Sequence, residues 1–276
     1  MADIVVQGLG LEGIANEIIR VAQPNSVSWI GKTVLRLSET TGLEDVPHLA
    51  RKYQLDWAVL PNAPRWSDFR VLAMDMDSTL ITIECIDQLA DLAGIGAQVA
   101  AITASAMRGD LDFPQALRAR VRLLAGLDES ALATVYEERL RLSPGAEELL
   151  ALAKQAGLKT VLVSGGFTYF THRLQQRLGL DHHLANHLEI VGGKLTGEVL
   201  GDIVDAHAKA RKVTEVCAGL GCDRSAAIVV GDGANDLEMM AGAGLSVAYR
   251  AKPKVQERAM VSINYGGLDA IGHLVR

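Results

Sequence analysis

The sequence predicts an α/β protein built around a three-layer, Rossmann-like parallel sheet, and two observations support this fold class. First, three apolar segments of strand length each end in a polar side chain: Asp75, Ser164 and Asp232. Second, segments with strand and helix patterns alternate from residue 142 onward, which indicates parallel strands with helices on both faces. Because the carboxyl ends of parallel strands meet at one sheet edge, these polar side chains are predicted to share one site.

Residues 1–66 are predicted to form a separate small α+β domain. Its segments alternate between strand and helix patterns: 3–8, 11–22, a β-rich stretch at 26–38, 42–53 and 57–60. The order resembles small amino-acid-binding regulatory modules of the ACT kind, in a degenerate form. Because a fold pattern alone does not define function, a docking or dimerisation domain without a ligand is the preferred interpretation. The turn residues Pro61 to Pro64 mark the predicted boundary.

Residues 84–141 are predicted to form a helical bundle. Four segments with helical periodicity are separated by glycines: 84–93, 96–107, 113–125 and 130–140. Because they interrupt the chain between the first core strand and the rest of the sheet, they are expected to cap the strand ends. The catalytic core would then comprise 67–83 plus 142–276.

The second half of the core is predicted to alternate regularly. Its first helix is expected from Ser143 as N-cap and Pro144 as first helical residue to a glycine C-cap at Gly157. The remaining predicted elements are strands 160–164, 187–190, 194–197, 226–231, 245–248 and 261–263, and helices 167–178, 206–220 and 234–241. The pair His182 and His183 is expected to lie in a loop.

Composition narrows the function classes. The 276 residues are 49% hydrophobic and 22% charged, with a net charge of −6 and no basic patch, which argues against a nucleic-acid partner. No stretch has the roughly 20 apolar residues of a membrane span. We find no secretory signal, and three cysteines without metal-ligand spacing predict reduced thiols, so a cytoplasmic location is expected.

The two acids after the first core strand have two interpretations on their own. Asp75 and Asp77 could form an acidic turn, or they could supply a nucleophile and Mg²⁺ ligands. The later strand ends favour the second interpretation, since they add a hydroxyl with two glycines and a second acidic group. Lys209 is the candidate cation, although Arg211 and Lys212 lie close to it in sequence.

The motifs, taken in order, resemble the haloacid dehalogenase superfamily of phosphatases. They are Asp-Met-Asp-Ser-Thr at 75–79, Ser-Gly-Gly at 164–166, Lys209, and Gly-Asp-Gly-Ala-Asn-Asp at 231–236. With Glu84 and Phe167 added, they resemble the phosphoserine phosphatases in particular. The resemblance extends from about residue 70 to the C-terminus and does not include residues 1–66.

The resemblance implies a role for each motif residue. Asp75 would be the nucleophile that forms an aspartyl-phosphate, and Asp77 the general acid and base. The implied Mg²⁺ ligands are the Asp75 side chain, the Asp77 carbonyl and Asp232. The implied phosphate-binding groups are Ser164, Gly165 and Lys209. Asn235 and Asp236 would orient metal-bound water or the lysine.

Substrate choice is expected to come from the cap. The resemblance implies that Glu84 binds the substrate ammonium and Arg120 its carboxylate, while Met107 and Phe113 close over the site. Competing interpretations are cap core for Met107 and Phe113, and a charged helix face for Arg120. The expected reaction is Mg²⁺-dependent hydrolysis of O-phospho-L-serine, the last step of serine biosynthesis. A related phosphomonoesterase or phosphotransferase acting on another small phosphometabolite remains the alternative, and a homodimer is left open.

Overall fold

The computed structural model describes residues 2–60 and 63–276, and residues 2–60 form a four-stranded N-terminal unit. Its elements are β1 (Ala2–Gln7), α1 (Leu11–Ala22), β2 (Ser26–Ile30), β3 (Val34–Thr40), α2 (Val46–Lys52) and β4 (Asp56–Leu60). The strands are antiparallel in the order β2-β3-β1-β4. The β-rich stretch is therefore a hairpin of two strands. Both helices pack on one face, because Leu11 of α1 and Leu49 of α2 share a buried cluster with Leu35 and Leu37.

Helix α2 is shorter than predicted. The sequence pattern suggested a helix from residue 42 to 53, whereas α2 begins at Val46 and ends at Lys52. Gly42 instead donates a backbone hydrogen bond to Ala22 at the end of α1, and a Cβ atom there would collide with the Val21 carbonyl. Pro47 in the first turn suits a helix start, since proline has no N–H to leave unpaired.

The core contributes seven strands to the same sheet. Its elements are β5 (Val71–Met74), α7 (Ala146–Gln155), β6 (Lys159–Phe167), α8 (Thr168–Leu178), β7 (His182–Val191), β8 (Lys194–Leu200), α9 (Ala206–Gly219), β9 (Ala227–Gly231), α10 (Leu237–Met240), β10 (Leu245–Tyr249), α11 (Pro253–Gln256) and β11 (Val261–Ile263). Strands β11-β10-β9-β5-β6-β7 are parallel, and β8 closes the series antiparallel to β7. This confirms the predicted α/β class, with antiparallel strands at the edges.

Side chains alternate between the two faces of the core sheet. On one face Val71, Ala73 and Val229 pack in a cluster with α9, α10 and α11 residues. On the other face Leu72 and Ile228 join a larger cluster with α7 and α8. A strand buried on both faces has a continuous apolar run, which explains why these strands were readable from sequence.

The N-terminal unit is joined to the core through both backbone and side chains. Strand β4 pairs antiparallel with β11 at Trp57 and Ser262, so a single eleven-stranded sheet spans the protein. The buried Asp56 carboxylate accepts hydrogen bonds from the backbone N–H groups of residues 264–266 at 2.6–3.3 Å. Of the predicted boundary residues, Pro61 and Asn62 lie outside the described residues.

The cap lies between β5 and α7 and contains the helices α3 (Cys85–Leu92), α4 (Gly96–Arg108), α5 (Phe113–Arg122) and α6 (Ser130–Thr134), followed by a helical turn at 135–139. The loop between α5 and α6 runs along the outer edge of β8 at its start. Gly126 N–H donates to the Leu195 carbonyl at 2.8 Å, Leu195 N–H to Leu127 at 2.9 Å, and Glu129 N–H to Gly193 at 2.9 Å. The cap backbone thus occupies this edge of the sheet.

Two local predictions in the core were wrong. Helix α7 begins at Ala146 after Gly145 in a left-handed conformation (φ 76°), so Ser143 is not its N-cap and Pro144 is not its first residue. Strand β7 begins at His182, so His182 and His183 lie in a strand and not in a loop. The predicted end of α7 matches, since Gly157 adopts φ 75° two residues after Gln155. Within residues 2–60 and 63–276, none of the helices combines the length and apolarity needed to cross a bilayer.

Candidate active site

Three neighbouring parallel strands bring the predicted site residues to one sheet edge. Strand β5 lies between β9 and β6, so Asp75 and Asp232, which follow β5 and β9, lie near Ser164 in the last part of β6. The Asp75 N–H donates to the Val230 carbonyl of β9 at 3.0 Å, which holds Asp75 at the tip of the sheet. The chain then turns sharply through Ser78, a non-glycine residue at φ 55°. Such strained backbone conformations are often found at functional sites.

A buried ion network joins Asp75 to the α9 lysine. Lys209 Nζ lies 2.8 Å from Asp75 Oδ2 and 2.8 Å from Asp236 Oδ1, and all three side chains are buried. Burial lowers the pKa of Lys209, but the two carboxylates outweigh that effect and the net shift is upward, so the lysine stays charged. Of the three candidate cations on α9, Lys209 is therefore the one that the structure brings to the strand ends. Arg211 is exposed, and Lys212 pairs with Glu215.

Asp236 also supports the loop after β9. Its Oδ2 accepts hydrogen bonds from the N–H groups of Asp232 at 3.1 Å and Gly233 at 3.0 Å. Thr79 Oγ1 donates to Asp232 Oδ1 at 3.2 Å. Both Asp236 oxygens are thus engaged, one with Lys209 and the other with the backbone. This fixes the Asp232 carboxylate relative to Asp75.

The arrangement fits a divalent cation. Oxygen atoms of Asp75, Asp232 and Asp236 lie within 4.8 Å of one another. Three carboxylates and one lysine leave two formal negative charges in a largely buried place. Burial raises the pKa of Asp75, which the neighbouring Asp236 reinforces and Lys209 opposes. Burial, Asp236 and Glu84 raise the pKa of Asp232 to about 6. A hard cation with oxygen ligands would relieve this repulsion.

Asp77 has the properties of a proton donor. Burial, reinforced by the Glu84 carboxylate, raises its pKa to about 7, and the Cys85 N–H that donates to Asp77 Oδ1 at 3.0 Å opposes the rise. A carboxyl group with an ordinary pKa would be almost fully ionised at neutral pH. At a pKa of about 7 a substantial fraction of Asp77 is protonated, which suits general acid catalysis.

Residues 164–166, here called the glycine loop, lie near the end of β6 where its register with β7 shifts, and they offer a hydroxyl and closely approached backbone. Ser164 is buried, and its Oγ accepts the Gly166 N–H at 2.9 Å. A Cβ on Gly166 would lie 2.6 Å from Asp77 Oδ2, and one on Gly165 would lie 2.8 Å from Phe113 Cζ. A side chain at either glycine would therefore displace Asp77 or Phe113 from its present position.

Asn186 is a site residue that sequence reasoning missed. It lies buried on β7, where its Nδ2 donates to the Gly165 carbonyl and its Oδ1 accepts the Val204 N–H, both at 2.8 Å. Val204 precedes α9, the helix that carries Lys209. One carboxamide thus connects the glycine loop to the start of the lysine helix. The signal that the sequence offered for this residue was a polar side chain between Ala185 and His187, within a strand.

The cap contributes opposite charges to the same cleft. Glu84 Oε1 accepts a hydrogen bond from Ser78 Oγ at 2.6 Å. Arg120 is half-buried and its Nε donates to the Ala116 carbonyl, whereas Arg118 and Arg122 are exposed. Burial lowers the pKa of Arg120, and the nearby acids Asp87, Glu84 and Asp77 raise it in opposition. Arg120 is therefore distinguished from the charged helix face by its position in the cleft.

A cleft of about 410 Å³ contains most of the predicted residues. Those that line it are Asp75, Asp77, Glu84, Phe113, Arg120, Gly165, Asp232 and Asn235. Met107 is not among the lining residues, and it is 71% exposed on the last turn of α4. Lys252 and Asp87 also line the cleft and were not predicted, because an isolated Lys or Asp has no local pattern that distinguishes it.

Comparison with known proteins extends these observations. The haloacid dehalogenase-like hydrolase family matches residues 72–241. Phosphoserine phosphatase from Polaromonas sp. is 54% identical over 215 residues, which are 76% of this chain and 91% of that protein. Phosphoserine phosphatase from Haemophilus influenzae is 46% identical over 245 residues, which are 89% of this chain and 78% of that protein.

Solved structures agree with the fold. The unliganded crystal structure of a probable phosphoserine phosphatase from Vibrio cholerae superimposes with a TM-score of 0.87 at 37% identity, covering 99% of this chain and 86% of that chain. A substrate-bound phosphoserine phosphatase complex superimposes with a TM-score of 0.71 at 36% identity, covering 75% of this chain and 99% of that chain. The first similarity includes residues 1–66, to which the motif resemblance does not extend.

Proposed function

The chain belongs to the haloacid dehalogenase-like hydrolases and, within them, to the phosphoserine phosphatases, and on that basis we propose that it hydrolyses O-phospho-L-serine to L-serine and phosphate. The observation that carries the proposal is a single cleft that joins Asp75 and Asp77 on the core to Glu84 and Arg120 on the cap. An α-amino acid presents an ammonium and a carboxylate, and the cap presents one group of the opposite charge for each. In a serine-producing cell this reaction is the last step of serine biosynthesis, and we assign it to the cytoplasm.

The proposed chemistry has two displacement steps. An Asp75 carboxylate oxygen attacks phosphorus, and the bond from phosphorus to the serine oxygen breaks. Asp77 donates its proton to that oxygen, so L-serine leaves as the neutral alcohol. Asp77 then accepts a proton from water, whose oxygen attacks the aspartyl-phosphate and releases phosphate and the original Asp75 carboxylate. The pKa of about 7 supports both directions of proton transfer by Asp77.

Charge stabilisation is assigned to the residues around the phosphoryl group. Lys209 would bind phosphoryl oxygens while it holds Asp75 in position, which its 2.8 Å contact supports. The Ser164 hydroxyl and the Gly165 N–H would donate to the remaining oxygens. Such preorganised donors act strongly in a site that excludes water, because they need no reorganisation during the reaction.

We assign the metal to Mg²⁺, held by Asp75, the Asp77 carbonyl and Asp232. When bound, it would neutralise charge on the phosphoryl oxygens and on the carboxylates beside them. Asp236 is assigned a supporting role, because its oxygens are already engaged by Lys209 and by two backbone N–H groups. Asn235 is assigned to orient ligands of the same site, and its position in the lining of the cleft that includes Asp232 supports this role.

Substrate selection is assigned to the cap. Glu84 would bind the ammonium and Arg120 the carboxylate, while Phe113 covers the glycine loop at Gly165. Met107 lies outside the cleft in this structure, so its contact with substrate would require movement of α4.

The test is phosphate release from a panel of four substrates in the presence of Mg²⁺. O-phospho-L-serine carries both charged groups, phosphoethanolamine lacks the carboxylate, 3-phosphoglycerate lacks the ammonium, and p-nitrophenyl phosphate lacks both. We expect strong preference for phosphoserine and no turnover by Asp75→Asn. Activity on p-nitrophenyl phosphate alone would retain the chemistry and overturn the substrate, in favour of another small phosphometabolite. Activity of Asp75→Asn equal to wild type would overturn the mechanism.

A further inference from the structure

The lining of the cleft contains more acidic than basic side chains. The acidic ones are Asp75, Asp77, Glu84, Asp87 and Asp232. A phosphate monoester carries about −1.5 to −2 charges at neutral pH, so carboxylates repel it and basic side chains favour its entry. The basic side chains in the lining are Arg120 on the cap, which is assigned to the substrate carboxylate, and Lys252 on the core. Lys252 has no role in the chemistry proposed above.

Lys209 has limited capacity for the phosphoryl group. Its ammonium has three N–H donors, and Asp75 and Asp236 each lie 2.8 Å from it. The Lys209 side chain is only 1% exposed, so these two carboxylates fix its direction. One N–H therefore remains for a phosphoryl oxygen. The phosphoryl group brings several acceptor oxygens into the site, so a further cation would find an acceptor there.

The backbone of Lys252 is held beside Asp232. Strand β10 runs parallel to β9, so the loop that follows β10 lies at the same sheet edge as Asp232. The Lys252 N–H donates to the Asp232 carbonyl at 3.2 Å, and the Lys252 carbonyl accepts the Val255 N–H at 2.9 Å. Ala251 and Val255 are buried in the same core cluster as Val229 of β9. The loop is thus fixed at the strand ends from which the site is built.

The side chain of Lys252 is available to a ligand. It is exposed, and its ammonium forms no ion pair or hydrogen bond with residues 2–60 and 63–276, whereas Lys209 pairs with two carboxylates and Lys212 with Glu215. Burial raises the pKa of Asp232 to about 6, and the charge of Lys252 opposes that rise. The ammonium of Lys252 therefore acts on the Asp232 part of the cleft without being engaged by these residues.

We propose that Lys252 is a substrate-binding residue whose ammonium binds an oxygen of the phosphoryl group, attracts the substrate into the cleft and holds the phosphoryl group beside Asp232. The inference rests on the proposed phosphatase function and adds a core cation to the donors named there. A lysine ammonium suits this role, because it is a compact point charge on a flexible stem. Lys252 should therefore contribute equally to every phosphate ester, whatever the rest of the substrate carries.

The first test is the affinity for inorganic phosphate at saturating Mg²⁺, measured as an inhibition constant and by calorimetry. In Lys252→Ala both constants should rise about 3- to 10-fold, since an exposed cation contributes less than a buried one. Lys252→Arg keeps the charge and should remain within about threefold of wild type. Added salt should weaken phosphate binding more steeply in wild type than in Lys252→Ala, because one attractive charge is missing from the variant.

Lys254→Ala is the matched control, because Lys254 is exposed on α11 and is not among the residues that line the cleft. It should match wild type in phosphate affinity and in salt dependence. Unchanged phosphate affinity in Lys252→Ala, or an equal loss in Lys254→Ala, would overturn the inference. A salt dependence of Lys252→Ala equal to that of wild type would also overturn it.

The second test is kcat/KM for O-phospho-L-serine, phosphoethanolamine and p-nitrophenyl phosphate. Lys252→Ala should lower all three values by the same factor, since these substrates share only the phosphoryl group. A loss confined to phosphoserine would place Lys252 on the substrate carboxylate and overturn the inference. The proposed function fails in a different way: a wild type that prefers p-nitrophenyl phosphate would overturn the substrate assignment, while equal losses in Lys252→Ala would still support the phosphoryl contact.

Discussion

Replacing Glu84 by Gln should separate substrate recognition from phosphoryl chemistry. The substitution keeps the shape of the side chain and its hydrogen bond to Ser78, and it removes the negative charge assigned to the substrate ammonium. Hydrogen bonds to charged groups contribute about 1.5–3 kcal/mol, so kcat/KM for phosphoserine should fall roughly 10- to 150-fold. For 3-phosphoglycerate, which has no ammonium, kcat/KM should remain within about twofold of wild type when it is measured at a pH low enough for Asp77 to be protonated in both proteins, since that contact is absent from the start.

The same substitution should shift the pH profile. Glu84 is the second cause, after burial, that raises the pKa of Asp77 to about 7. Asp77 must be protonated to donate to the leaving oxygen, so kcat/KM should fall as pH rises through that pKa. Without the Glu84 charge the protonated form of Asp77 is less favoured. The pKa decreases, and the fall should begin at lower pH in Glu84→Gln.

The assay is steady-state phosphate release for both substrates across the neutral pH range, with Glu138→Gln as the matched control. Glu138 is an exposed cap glutamate, so its loss should change neither substrate preference nor pH profile. Equal losses for phosphoserine and 3-phosphoglycerate in Glu84→Gln would refute the assignment of Glu84 to the ammonium. A fall that begins at the same or higher pH would refute its influence on Asp77.

Three further substitutions test the remaining assignments. Lys209→Met removes the buried cation and should lower kcat roughly 10²- to 10³-fold in steady-state kinetics, and a loss below tenfold would contradict its role. Asn186→Ala leaves the Gly165 carbonyl and the Val204 N–H unpaired, which should lower the free energy of unfolding by about 1–3 kcal/mol per group in urea titrations. It should also weaken inhibition by inorganic phosphate, and unchanged inhibition would show that Asn186 does not position the glycine loop. Asp56→Ala removes the acceptor for three backbone N–H groups and should lower the free energy of unfolding by about 1–3 kcal/mol in the same titrations. The kcat of this variant should equal that of wild type. A variant as stable as wild type would contradict the role of Asp56 in joining the N-terminal unit to the core.

The strand ends were predictable because their signal is local. An apolar run followed at once by Asp75, Ser164 or Asp232 can be read from a few adjacent residues, and parallel strands bring such ends together. Lys209 was harder, because three basic residues lie within four positions on one helix. Its selection depends on which face of α9 meets the sheet, and only the packing of α9 on the core determines that.

The contributions of Asn186 and Lys252 could not be predicted, since they depend on contacts between distant segments. Asn186 acts through the carbonyl of Gly165, 21 positions earlier, and through Val204, 18 positions later. The predicted strand began only at residue 187, so Asn186 was not expected to face the glycine loop. The role of Met107 stays a prediction, since α4 holds this exposed side chain outside the residues that line the cleft.

Helix starts were the weakest local predictions. Ser143 and Pro144 match the usual residue preferences at a helix start, yet the chain continues through Gly145 in a left-handed conformation before α7 begins. The Pro144 carbonyl instead accepts a hydrogen bond from the Leu268 N–H at 2.7 Å. A tertiary contact with the end of the chain therefore outweighs the local capping preference, which contributes only about 1 kcal/mol.

The hydrogen bonds between the cap loop and β8 restrict how the active site can admit substrate. Swinging the entire cap outward as a rigid body would break the three bonds that join residues 126–129 to Gly193 and Leu195, at and just before the start of β8. None of these three bonds involves α3 or α4, which lie at the other end of the cap. Substrate entry should therefore proceed by partial opening at α4, with the loop as a fixed pivot. In hydrogen–deuterium exchange, the amides of Gly126, Glu129 and Leu195 should remain protected while those of α4 exchange early.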